Sequence, residues 1–310
     1  MGGAEQGGDR VLGTYGGERP GPVLVLVGGI HGNEGAGVRA AERVLAWLAT
    51  AEVPLRGRVV ALVGNAPALA AGARFVDVDL NRGWSPGRVA AARAGELAVA
   101  TSEDAQQRAL LGALDAARRR ASEALGFAVL DLHSFSAAGA PFVVTCASER
   151  TLAMARAAGL PAITGLERQI PGTFVEFCCG DGAPALGVEG GTHDDPATAR
   201  QLSAVVVRVL RHLGMVAAED VDDGGAGAGR AGEGDGPPEV VEIVYRHAIG
   251  PDDGFRMRPG YRNLARVREG EELADDARGP VRAPRDGWLV MPLYQGQGDD
   301  GFFLGVEREG

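Results

Sequence analysis

Residues 22–28 read Pro-Val-Leu-Val-Leu-Val-Gly, apolar without alternation, the pattern of a strand buried on both faces. A glycine-rich loop follows, then a 3.6-residue stripe of Val38, Ala41, Leu45 and Leu48 that predicts an amphipathic helix. A second strand is expected over 57–63. A long helix is expected over 103–125, turning Leu110, Leu114, Ala117 and Leu125 inward. Strand-like runs recur at 127–132, 141–146, 173–178 and 185–189. A helix over 196–213 groups Leu202, Val205, Val209 and Leu213. Asp194 and Asp195 stand before Pro196, and proline is tolerated in a helix's first turn, so this is a start signal. Strands alternating with helices predict an α/β sheet with helices on both faces.

The pattern breaks at 219–238, where seven glycines, six acids and one arginine accompany no large apolar residue beyond Val221. Such a stretch buries too little surface to offset its ordering entropy, so a flexible linker or long loop is expected. Residues 239–310 return to short β-like segments (VVEIVY, FRMR, LARV, GWLVMPLY, FFLGV) punctuated by Gly, Pro and Asp. The expected organisation is a catalytic domain over 1–218, an acidic Gly-rich linker over 219–238 and a small all-β domain over 239–310.

Charge changes the picture less than its total suggests. The chain of 310 residues carries a net charge of −10, and the six acids and one arginine of 219–238 supply half of it. The acidic balance still argues against nucleic acid as the main partner, because phosphate binding needs a basic face. All 31 basic residues are arginine. The missing lysine excludes Schiff-base chemistry and a phosphate-binding P-loop of the usual form. No apolar run reaches the ~18–20 residues of a membrane span, and the first ten residues lack the apolar core of a signal peptide. Three cysteines give no disulfide framework. A cytoplasmic location is expected.

The chemistry concentrates at three places. Gly29-Ile30-His31-Gly32-Asn33-Glu34-Gly35 follows the first strand, and a His and a carboxylate three apart on a loop entering a helix can converge on one metal ion. Strand ends facing helix starts are where α/β sheets hold ligands. His133, in Val129-Leu130-Asp131-Leu132-His133-Ser134, ends another buried strand. Asp131 shares its face and could accept the imidazole's other N–H. Either piece alone also suits an ordinary loop or a core histidine. Arg74-Phe75-Val76-Asp77-Val78-Asp79-Leu80-Asn81-Arg82 supplies an Asn-Arg pair able to grip a carboxylate, read as standing at a strand end. Two arginines this close suggest a second task, polarising a carbonyl.

Taken together, G-G-x-H-G-N-E, R-F-V-D-x-D-L-N-R, D-L-H-S and the V-E-G segment at 188–190 resemble the succinylglutamate desuccinylase/aspartoacylase family, deacylases related to zinc carboxypeptidases. The resemblance covers roughly 22–215 and extends to the β region through VRAPRDGWLV and PLYQG. It implies a zinc-carboxypeptidase-like mixed sheet with helices on both faces, plus a small C-terminal all-β domain. It implies one Zn²⁺ per chain on His31, Glu34 and His133. Glu189 would be the general base, with Glu176 as its rival, and Arg74 would polarise the carbonyl. Asn81 and Arg82 would hold the substrate's carboxylate, Asp79 would be a supporting member of its motif, and Tyr294 with Phe302-Phe303 would overhang the channel. The expected substrate is an N-acyl amino acid or a similar carboxylate-bearing amide. Alternatives are a carboxypeptidase-like enzyme for short or cell-wall peptides and a non-catalytic metal-binding relative. No nucleic acid or membrane partner is expected, and a homo-oligomer stays open.

One departure stands out. Family members that act on acidic N-acyl amino acids look to carry another arginine shortly before the glutamate, whereas 177–188 contains none and has Asp181 instead. Arg168 lies farther upstream. The resemblance thus implies metal hydrolysis without fixing an aspartate- or glutamate-derived substrate. Cys178 and Cys179 read as small packing residues rather than thiol ligands or a nucleophile, His193 as an exposed loop histidine or one that rims the site, and Arg118-Arg119-Arg120 as a solvated helix face.

Overall fold

The computed structural model describes residues 10–121, 126–217 and 236–308. The first half runs β1 (Val11–Gly16), β2 (Val23–Gly28), α1 (Ala36–Thr50), β3 (Arg58–Val63), α2 (Ala66–Ala71), α3 (Pro86–Ala94), α4 (Ser102–Arg118) and β4 (Phe127–Phe135). Next come β5 (Phe142–Val144), α5 (Glu149–Ala158), β6 (Ala162–Thr164), α6 (Phe174–Gly180), β7 (Ala185–Thr192) and α7 (Pro196–His212). The C-terminal part is β8 (Val240–Ala248), β9 (Arg256–Met257), β10 (Ala265–Val267), β11 (Glu272–Asp276), β12 (Gly279–Arg282), β13 (Gly287–Val290) and β14 (Asp300–Glu307). Leu125 and residues 219–235 of the expected linker lie outside the described residues.

Strand β2 shows why the apolar runs sit where they do. Leu24 and Leu26 face one core with α1, α5 and α7, while Val23, Val25 and Val27 face another with α4 and α6. Every residue of the strand is buried. Each such side chain contributes about 1.5–3 kcal/mol on leaving water, so a strand apolar on both faces belongs at the centre of the sheet. It pairs in parallel with β3 on one side and β4 on the other. The sheet has 11 strands in the order β1-β3-β2-β4-β7-β5-β6-β8-β14-β13-β10. Its parallel centre continues through a β6–β8 pairing into the antiparallel C-terminal strands, so the C-terminal segment joins the same sheet. Strands β12, β11 and β9 form a separate antiparallel sheet of three.

Helix α1 lies unusually close to the sheet. A Cβ on Gly37 would sit 2.1 Å from the Leu132 carbonyl oxygen, so only glycine lets the helix start rest on β4. Gly32 has the same constraint, a Cβ there meeting the Ala68 carbonyl carbon at 2.0 Å. These contacts hold the His31–Glu34 loop down onto the strand ends. Helix α4 begins with a capping box, Thr101 and Asp104 exchanging side-chain and backbone bonds. Arg88 of α3 pairs with that aspartate.

Three sequence expectations are corrected. The run 173–178 is a helix, not a strand. The Thr173 hydroxyl caps it by accepting from Glu176 N–H at 3.3 Å, and Phe174, Val175 and Cys178 share its buried side. A short apolar run does not declare its period, and the cap decides it here. Helix α4 ends at Arg118, short of the expected boundary at 125. Residues 74–82 are a loop closed by a short 3₁₀ turn over Leu80–Arg82, capped by Asp79, with no strand beneath the Asn-Arg pair. Among the described residues no helix is long and apolar enough to cross a membrane.

Candidate metal centre and active site

The C-terminal ends of β2, β4 and β7 converge, and the loop after β2 brings His31 and Glu34 to His133 on β4. All three are buried, and one ligand atom from each lies within 4.8 Å of the others. The Glu34 carboxylate faces both imidazoles, Oε1 at 3.0 Å from His31 Nδ1 and Oε2 at 2.9 Å from His133 Nδ1. The Ser134 backbone N–H also donates to Oε2, at 3.1 Å. Two imidazoles and a carboxylate facing one point are the donor set of a catalytic zinc site, which keeps a fourth position open. The outer ring nitrogens are also supported. His31 Nε2 lies 3.1 Å from Asp79 Oδ1, and His133 Nε2 lies 2.6 Å from Asp131 Oδ2. Such carboxylates fix a ligating ring's orientation and tautomer.

Electrostatics follow from this packing. Burial pushes the Glu34 carboxyl up, but His31 and His133 outweigh it and hold its pKa well below the usual range. Burial likewise opposes a charge on His133, and Asp131 with Glu34 overcomes it and raises its pKa well above normal. Both directions reflect opposite charges packed at short range in a medium of low dielectric.

Glu189 stands opposite His133 in the β4–β7 register. Burial pushes its carboxyl up to about 8, and its Oε2 is buried with no hydrogen-bond partner. Natural structures seldom leave a buried carboxylate oxygen unpaired, and Glu189 lines the same cavity as the two imidazoles. The rival Glu176 does not line the cavity, and its carboxylate accepts from Gly172 N–H at 2.6 Å at the start of α6.

Arg74 is held by Asp79, Nε at 3.2 Å and Nη2 at 3.0 Å from Oδ2, with Nη1 3.7 Å from Glu34 Oε1. Asn81 and Arg82 both reach the cavity. The Asn81 side-chain oxygen accepts from Phe174 N–H at 2.8 Å, which leaves its NH₂ group to face a ligand. Arg82 donates to Asp300 Oδ2 at 2.7 Å. Tyr294 is a correction, for it does not line the cavity. Its hydroxyl donates to the Arg258 carbonyl at 2.7 Å and accepts from Tyr261 N–H at 3.1 Å, and Leu293 and Gln295 form the wall instead. Phe303 lines the cavity, whereas Phe302 packs against His247 in the core beside it.

Of its two expected places, His193 takes the rim of the site. It is half-buried in the cavity wall, Nδ1 2.8 Å from Ser134 Oγ and Nε2 3.2 Å from Gln295 Oε1. Arg118 is not a solvated ornament, because it binds Asp181 and lies over the Phe127 ring. Asp181 pairs with Arg93 as well and stays out of the cavity. The cysteines are free thiols, and burial raises the pKa of Cys178.

Four contributors carry no signal in the sequence pattern. Glu103, in the first turn of α4, accepts backbone N–H groups from Val76, Asp77 and Val78 at 2.8, 3.1 and 3.2 Å and the Asn65 amide at 3.0 Å. It thereby frames the loop that carries Arg74 and Asn81. From the segment between β13 and β14, Gln295 accepts from Asn33 at 3.1 Å and Gln297 accepts from Arg74 N–H at 3.3 Å, and Asp300, the first residue of β14, takes Arg82. That segment roofs a cavity of about 120 Å³. A roomier groove of about 630 Å³ runs along α4, β1 and β3, but among the described residues no histidine or carboxylate lines it.

Comparison with known proteins bears on the family and the fold. The family model described as "Succinylglutamate desuccinylase/Aspartoacylase catalytic domain" matches residues 20–213. A succinylglutamate desuccinylase of Pseudomonas paraeruginosa (strain DSM 24068 / PA7) is 46% identical over 59 residues, a stretch that spans 19% of this chain and 18% of that relative. Among solved structures, a succinylglutamate desuccinylase from Silicibacter sp. TM1040 superposes with a TM-score of 0.66 at 21% identity, covering 93% of this chain and 86% of the other. The product-bound ectoine utilization protein EutE (DoeB) from Ruegeria pomeroyi gives 0.65 at 20% identity, covering 94% and 87%. At these identities the structures speak for the fold, and the match over 20–213 speaks for the family. The chain belongs to the succinylglutamate desuccinylase/aspartoacylase family.

Proposed function

We propose that this protein is a zinc-dependent amidohydrolase that cleaves the amide of a small N-acyl amino acid or a similar carboxylate-bearing amide. The observation that carries the reading is the meeting of His31, Glu34 and His133 beside Glu189, whose buried Oε2 has no partner, within one small cavity. The donor set fits zinc, since two imidazoles and one carboxylate leave a bound dication with net positive charge. Zinc held there supplies Lewis acidity toward a carbonyl and toward water.

The chain's own residues do the rest. Glu189 takes a proton from the attacking water as the new C–O bond forms. It returns that proton to the amine nitrogen as the C–N bond breaks, so one water is consumed and an acid and an amine are released. Burial makes the Glu189 carboxylate a stronger base than an exposed one, which suits it to take that proton and return it. Arg74, fixed by Asp79, faces the carbonyl oxygen as negative charge develops on it. The Asn81 amide and Arg82 receive the substrate's carboxylate. The roof over the cavity and its small volume favour a short substrate over an extended peptide.

The test is amine release by the zinc-supplied protein from a panel of N-acyl amino acids and dipeptides. Cleavage of the N-acyl amino acids is the expected result. Cleavage of dipeptides alone would move the reading to a peptidase, and cleavage of neither would overturn it.

A further inference from the structure

Beyond the metal ligands and Glu189, the cavity lining is of two chemical kinds. Asn81, Arg82 and Asp300 are polar. Gly187, two residues before Glu189 on β7 and on the same face of the strand, also lines it. A Cβ on Gly187 would lie 3.2 Å from Val175 Cγ2 and 3.7 Å from Val144 Cβ, so the two valines pack closely over the glycine as an apolar wall. Val144 belongs with Leu166, Ile170 and Phe303 to one apolar cluster, and all four line the cavity. Val175 lines it as well.

Cations decide what else can bind. Two arginines line the cavity among the described residues. Arg74 is committed to Asp79 and lies against Glu34. Arg82 shares its Nη2 with Asp300 at 2.7 Å and Asp299 at 3.7 Å, and its Nε is buried without a partner. That leaves capacity for one further carboxylate, at Arg82 and the Asn81 amide. Arg168, the upstream candidate for a second cation, pairs with Glu242, is more than half exposed and does not line the cavity. Asp131 and Asp300 add acidic groups to the same lining.

We propose that the substrate carries a single carboxylate, held at Asn81 and Arg82, and an uncharged apolar group seated against Val144, Leu166, Ile170 and Phe303. The inference rests on the deacylase reading and narrows it to a substrate class, monocarboxylic N-acyl amino acids rather than dicarboxylic ones. A second carboxylate among those apolar residues would be buried with no further arginine to meet, which is strongly unfavourable. An apolar group there gains from leaving water.

The test compares kcat/KM of the zinc-supplied wild-type chain on matched pairs. N-isovalerylglycine is set against N-succinylglycine, and N-acetylleucine against N-acetylaspartate. Because the two pairs vary the acyl and the amine sides separately, either direction of binding is covered. The apolar member of at least one pair should lead by at least about tenfold, with neither dicarboxylate leading. Equal or greater activity on a dicarboxylate would overturn the proposal.

Should none of the four be hydrolysed, the deacylase reading fails. Calorimetric binding of isovalerate, leucine, succinate and aspartate to the same protein then decides the pocket's chemistry separately. Tighter binding of either apolar acid than of both dicarboxylates supports the proposal, and any other order, or no binding, overturns it. Val144→Arg, on a half-buried strand position, should shift the kcat/KM ratio at least about tenfold toward the dicarboxylates in a variant whose far-UV circular dichroism matches wild type. An unshifted ratio in that folded variant contradicts the proposal. If the variant does not fold, the wild-type panel stands as the test.

Discussion

The floor and the roof of the cavity are built differently. The floor is three strand ends, where His31, Glu34, His133 and Glu189 sit on or next to β2, β4 and β7 and are fixed by sheet register and close glycine packing. The roof is the segment between β13 and β14, tied down by side-chain amides and an ion pair to residues as much as 262 positions away. A register cannot drift by less than a whole residue, so the floor suits atoms that must hold their place. Paired side chains at the cavity edge exchange partners at small cost, which suits the roof to choosing what enters. In the function proposed above, chemistry falls to the rigid part and selection to the adjustable part.

The largest effect should follow from Glu189→Gln. Turnover is expected to fall about 10²–10⁴-fold while zinc content stays at wild-type level, read by kcat and metal analysis on the same sample. Because the buried Oε2 has no partner to lose, the melting temperature should hold or rise. Turnover near wild type would remove Glu189 from the floor's chemistry.

Glu103→Gln tests whether the Arg74–Arg82 frame belongs with the rigid part. Backbone N–H groups and Asn65 hold the Glu103 pKa below normal despite burial. Replacement should cost about 2–3 kcal/mol in urea unfolding at pH 7, since an NH₂ group must face backbone donors. The sign with pH follows from the depressed folded value. The contribution is full above the unfolded pKa near 4.3 and is lost as pH falls through the lower folded pKa, so the two proteins should converge in acid. A gap that persists unchanged at pH 3 would contradict it.

The smallest change is expected from Asp300→Asn. Removing its charge frees Arg82 for substrate, so KM for a carboxylate-bearing substrate should drop roughly threefold with kcat within about twofold. A collapse of kcat would show that the roof positions reacting groups and would erase the contrast with the floor.

The same contrast explains what could be read from the chain beforehand. His31, Glu34 and His133 were legible because each motif sits beside an uninterrupted apolar strand whose period needs no tertiary knowledge. The central strands and α1 and α7 followed from the same periodicity. The segment 173–178 misled because Thr-Phe-Val suits either period until Thr173 caps a helix. Glu103, Gln295 and Asp300 were invisible, since a carboxylate in a helix's first turn or beside a strand looks like surface decoration until the fold brings its partner across. Tyr294 failed for a related reason. Sequence placed it at the roof, but the chain turns its hydroxyl to Arg258 and Tyr261 and offers Gln295 to the cavity.

The most direct measurement of the central claim is zinc content and amide hydrolysis in one preparation purified without chelator, then stripped, then reloaded. About one zinc per chain is expected, with hydrolysis lost on stripping and restored by zinc. Undiminished hydrolysis by the metal-free chain would contradict the claim.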